Sequence, residues 1–127
     1  MRLTRELEEA RRGARSEIAS LLATLSADRD SLTRFLDETE QTLNNVNAIL
    51  QQSAQNEKEL RRQVTAVFRS IHGIKGDAAA LGLGLFENLA HDFEDTLAEL
   101  RDKTGIGGED LLSLPPHLDL MLERVDT

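Results

Sequence analysis

His72, Lys75, His91 and Glu94 are the residues of this chain whose types and spacing could do chemistry. An imidazole is a nucleophile near neutral pH when one ring nitrogen keeps its proton and the other offers a lone pair. A carboxylate that accepts the N–H decides which nitrogen is which. A nearby ammonium can then balance charge on a group the ring takes up. Lys75 follows His72 by three residues, about one helical turn, and Glu94 follows His91 at the same interval. If two antiparallel helices turn near Leu83, His72 and Glu94 stand eleven residues to either side of it, at the same height. His72, Lys75, His91 and Glu94 can then converge across the face of a helix pair.

The surroundings of His72 strengthen this reading. On an ideal helix the apolar stripe of Leu60, Val64, Val67, Phe68, Ile71, Ile74, Ala78 and Leu81 leaves His72 roughly 115° from its centre, at or beyond the boundary. Lys75 lies nearer the stripe, so its stem can follow the bundle while its ammonium reaches out. Gly73 and Gly76 each weaken a helix by about 1 kcal/mol relative to Ala, which close approach by another protein would offset. Two competing readings exist. A lone helical His is ordinarily solvated surface, and His72, His91 and Glu94 are legitimate metal ligands, though with no Cys and only 3 His the sequence offers little else for a metal, and no metal site is expected.

The elements that must position these residues are helices. Both Pro come late, Tyr and Trp are absent, and no strand-like alternation appears. From Ile18, a seam of Leu22, Leu25, Arg29, Leu32, Leu36, Thr39, Leu43, Val46 and Leu50 alternates gaps of four and three and predicts one helix over about residues 2 to 53. Leu3, Leu7, Ala10 and Ala14 continue it with a phase shift of one residue, like a stutter. Asn56 and Glu59 predict an N-cap with a supporting carboxylate for a second helix, which ends at Gly82 and Gly84. A third helix over about 85 to 103 buries Leu85, Phe86, Leu89, Phe93, Leu97 and Leu100. Residues 109 to 113 form a lead-in turn, and Pro115 and Pro116 open a fourth helix with Leu118, Leu120, Met121, Leu122 and Val125 as its apolar side. The expected fold is all-α: an antiparallel four-helix bundle over 29–127 with a helical, coiled-coil-like extension over 1–28.

The run Phe68-Arg-Ser-Ile-His72-Gly-Ile-Lys75-Gly76-Asp-Ala-Ala-Ala-Leu-Gly82, followed by His91-Asp-Phe-Glu94, resembles the histidine phosphotransfer (HPt) family. It is most similar to the N-terminal phosphotransfer domain of chemotaxis-type histidine kinases, over about residues 30 to 127. The resemblance implies that His72 accepts a phosphoryl group, that Lys75 assists the phosphate, and that Glu94 with His91 tunes the imidazole. It implies a kinase catalytic domain as donor and a response-regulator receiver domain as acceptor. Arg69, Gly73, Gly76, Asp77 and Ala79 are the expected docking residues, with Gly76 clearing space. Asp77 departs from the pattern, standing where a small residue is common. No intrinsic cofactor is expected, since ATP belongs to the kinase and Mg²⁺ to the regulator.

Composition bounds the alternatives. A net charge of -8 argues against a nucleic-acid partner. Within that acidic chain, residues 57 to 81 hold Lys58, Arg61, Arg62, Arg69 and Lys75 against Glu57, Glu59 and Asp77, a local basic excess that could steer an acidic partner. No ATP-binding or hydrolase pocket pattern is present, so turnover of its own is not expected. A scaffold or dimerisation module is the alternative, with the N-terminal seam as the homodimer contact. The segment reads as part of a larger histidine kinase or hybrid sensor, and a cytoplasmic location follows from the implied function.

Overall fold

The computed structural model describes Arg2 to Asp126, apart from the side chains of residues 2–4, 24, 26 and 27. Four α-helices form: α1 (Arg2–Gln51), α2 (Glu57–Ala80), α3 (Gly84–Asp102) and α4 (Pro115–Val125), with a 3₁₀ segment (Gly108–Ser113) before the last. The described residues contain no strand. None of their helices is long and apolar enough to cross a membrane.

The chain divides into two compact units, one ending at Arg34 and the other beginning at Phe35. In the first, the apolar seam lies open: Leu7, Ile18, Leu21, Leu22 and Leu25 are all exposed. In the second, the same seam becomes core. Thr39, Leu43 and Val46 are buried, and so is Phe35, one residue off the predicted line, where it meets Phe86 edge-on at 5.3 Å between ring centroids.

Both ends of α2 and the start of α4 have a local cause. Asn56 Oδ1 accepts the Glu59 N–H at 2.9 Å, while the Glu59 carboxylate accepts from Gln55 N–H, one residue before the cap. At the other end of α2, Gly82 takes φ +71°, and Leu83 N–H reaches Ala78 O while Gly82 N–H reaches Ala79 O. That paired arrangement satisfies two carbonyls that the helix leaves open. It also turns the chain directly into α3. Pro115 and Pro116 occupy the first two positions of α4, where no helical N–H is required of them.

With Phe35, Leu43 and Val46 of α1, the core comprises Leu60, Val64, Val67, Ile71, Ile74 and Ala78 of α2, Phe86, Ala90, Phe93, Leu97 and Leu100 of α3, and Leu118 and Met121 of α4, closed by Ile106 and Leu114. Besides Leu32 of the seam, three leucines expected inside are exposed: Leu81, Leu85 and Leu120. Leu81 is the C-cap of α2, beyond the last helical turn. Leu85 and Leu120 line a shared shallow cleft with Leu89, Glu123 and Arg124, at the edges of their helices' apolar faces. Arg61 ties the far end of the α2/α3 pair, donating to Arg101 O at 2.7 Å and to Lys103 O.

Candidate phosphotransfer site

The site lies along the seam where one flank of α2 meets one flank of α3. From α2 come Phe68, His72 and Lys75, and from α3 come Glu94 and Arg101, two turns apart. The turn at Gly82 sets their relative heights. His72 Nδ1 lies 2.7 Å from Glu94 Oε1, and Lys75 Nζ donates to Glu94 Oε2 at 2.6 Å. One carboxylate thus bridges the imidazole and the ammonium.

Burial decides the chemistry of each partner. Glu94 is only 6% exposed, whereas the His72 side chain is 66% exposed. Burial by itself pushes the Glu94 carboxyl up, but the hydrogen bonds and positive charge supplied by Lys75 and His72 outweigh it and hold it below its ordinary 4.5. An ionised carboxylate only accepts, so Nδ1 carries the proton in this contact. Nε2 is the ring nitrogen outside this contact, on a side chain that is largely exposed.

A second aromatic ring lies beside the imidazole. Phe68, one turn before His72, lies 7° from parallel to it with centroids 6.1 Å apart. The Arg101 guanidinium lies 4.9 Å from the centre of the Phe68 ring. Gly73 and Gly76 leave the adjacent helix surface bare, since a Cβ added at either would meet nothing within 4 Å. No packing among the described residues therefore accounts for these glycines.

The stretch that carries these residues also matches a known family. The model of the Hpt domain matches residues 30–127. The chain belongs to the histidine phosphotransfer family. Hpt domains carry phosphoryl groups on histidine in two-component phosphorelays and interact with histidine kinases and response regulators. No solved structure matches the chain.

Of the residues singled out from sequence, the fold of this Hpt domain brings together His72, Lys75 and Glu94. It does not bring in His91, which stays exposed and faces Asp95 on its own helix, Nε2 to Oδ2 at 3.4 Å. The expected four-residue convergence is a three-residue one, since three residues of helix place His91 about 60° around α3 from Glu94. Glu94 itself, expected off the apolar stripe, is buried beside Ala90 and Leu97. Lys75 spends its ammonium on that carboxylate. Arg69, Gly73, Gly76, Asp77 and Ala79 are all exposed on α2, and Arg69, Gly73 and Asp77 line one cleft with Thr39 and Thr42 of α1.

Sequence reasoning missed the roles of Phe68 and Arg101. Phe68 does pack against the core, as its place in the apolar stripe predicts, and its i, i+4 spacing to His72 is the signal for the second contact. The third histidine, His117, packs elsewhere, with Nε2 3.0 Å from Thr96 Oγ1 and its ring against Phe93. Among the described residues no group of three or more His, Cys, Asp or Glu could hold a metal ion.

Proposed function

We propose that His72 is the phosphoryl acceptor of this Hpt domain, and that it acts through Nε2. The observation that carries the proposal is the Glu94 contact: an exposed imidazole whose Nδ1–H is held by a buried, ionised carboxylate. The Nε2 lone pair attacks the γ-phosphorus of ATP held in a kinase catalytic domain, forming the N–P bond as the bond to the β,γ-bridging oxygen breaks. In the second step an Asp carboxylate of a receiver domain attacks the same phosphorus, and the N–P bond breaks. Glu94 stabilises the positive charge the ring develops when Nε2 bonds to phosphorus. Lys75 keeps Glu94 ionised and places positive charge near the incoming group. Gly73 and Gly76 admit the partner's backbone, with Arg69, Asp77 and Ala79 around them.

The domain needs no cofactor of its own, since ATP comes with the kinase and Mg²⁺ with the regulator. The donor is a histidine kinase of the chemotaxis type, at work in the cytoplasm. The exposed apolar seam of the first unit supports a second property, self-association into a homodimer through α1. Incubation with kinase and labelled ATP tests the central claim. Wild-type chain should take up label and His72→Gln should take up none, whereas undiminished label on His72→Gln would sink the assignment.

A further inference from the structure

A hydrogen bond at one ring nitrogen fixes a point, not an orientation. With only Nδ1 held by Glu94, the imidazole can still tilt about that contact, and the direction of the Nε2 lone pair sweeps with it. In-line attack on phosphorus needs that direction aligned with the bond to the leaving group, so freedom of tilt translates into lost productive encounters. The second constraint in this site is a surface. The Phe68 ring lies 7° from parallel to the imidazole with centroids 6.1 Å apart, a flat face beside the ring. Phe68 is half-buried, anchored against the core on one side. Its ring is also engaged by the Arg101 guanidinium, at a cation–π distance of 4.9 Å. Arg101 in turn sits on the stretch of α3 whose backbone carbonyl is tied to α2 by Arg61.

We propose that Phe68, held by Arg101, is a positioning residue that sets the plane of the His72 imidazole, so that Glu94 fixes a point on the ring and Phe68 fixes its face. The inference rests on His72 being the phosphoryl acceptor. Glu94 and Arg101 stand two turns apart on the same flank of α3, so one rigid element delivers both constraints. Phe68 touches no reacting atom. Its effect lies wholly in the orientation of another side chain.

The test uses the full chain with phosphoramidate, a small phosphoryl donor that needs no kinase. The Nε2–P bond forms as the P–N bond of the donor breaks and ammonia leaves. Phe68→Leu keeps apolar volume and loses the planar face, Phe68→Tyr restores the face, and Arg101→Met removes the cation from an exposed position. The phosphorylation rate is read alongside NMR relaxation of the His72 ring carbons and its nitrogen shifts. Phe68→Leu should slow phosphorylation by on the order of tenfold and loosen the ring, with the Nδ1–H tautomer retained. Phe68→Tyr should restore both within about twofold, and Arg101→Met should loosen the ring to a lesser degree. If the ring in Phe68→Leu and in Arg101→Met is as ordered as in wild type, the proposal fails, whatever the rates. A wild-type chain that takes no phosphoryl group sinks the acceptor assignment instead, and the ring measurements still decide the clamp.

Discussion

The Glu94 carboxylate carries the heaviest load of any single residue. It is buried, it holds two donors from another helix, and its ionisation sets which nitrogen of His72 donates to it. Glu94→Gln keeps the shape and an accepting oxygen but removes the charge, so kinase-dependent phosphorylation of His72 should fall by roughly tenfold to a hundredfold in a rate assay. The same carboxylate has a pH signature. Its folded pKa lies below the ordinary 4.5, so its stabilising contribution is complete above about 4.5 and is lost as pH falls through the folded value. Thermal denaturation below pH 4.5 should therefore show a component of acid destabilisation that Glu94→Gln lacks. Equal acid sensitivity in the two proteins would place that component elsewhere.

At the scale of the helix, two glycines make opposite predictions. Gly76 lies inside α2 where a Cβ meets nothing within 4 Å, so Gly76→Ala should stabilise the domain by about 1 kcal/mol in denaturant titrations. The same methyl stands on the proposed docking surface, so phosphoryl transfer to a receiver should slow while phosphoramidate uptake stays unchanged. A destabilised Gly76→Ala protein would contradict the open surface described at this position. Gly82 is the reverse case. Its φ of +71° is strained for any residue with a Cβ, so Gly82→Ala should destabilise by about 1–2 kcal/mol. It also sets the register between α2 and α3, so the variant should lengthen the His72 to Glu94 contact, visible as a weakened preference for the Nδ1–H tautomer by NMR.

For the molecule as a whole, charge and apolar surface point to association. Lys58, Arg62 and Arg69 are exposed on α2, and none forms an ion pair among the described residues, within a chain of net charge -8. Transfer to an acidic receiver should slow as salt rises from about 0.1 to 1 M, where the screening length shrinks from about 10 to about 3 Å. A Lys58→Glu and Arg62→Glu double variant should flatten that dependence. Separately, Leu22 and Leu25 lie exposed on the apolar seam of α1. Sedimentation should find the wild-type chain dimeric at micromolar concentration and the Leu22→Lys, Leu25→Lys variant monomeric. A monomeric wild type at high micromolar concentration would remove the dimer.

The sequence by itself determined the helices and their ends, because apolar spacing, the Asn56 cap, the Gly82 stop and the paired prolines act within a few residues of where they stand. It also determined that His72 is exposed and level with Glu94, since a short antiparallel turn fixes height by counting. Only the tertiary structure decided which side chains meet at that height. Glu94 enters the core edge between Ala90 and Leu97 while His91 turns to Asp95, a difference of rotation about α3 that depends on how that helix packs. The Phe68 face and the Arg101 cation belong to the same class: their contact joins residues from two helices, and rotation of each helix about its own axis, set by core packing, brings them together.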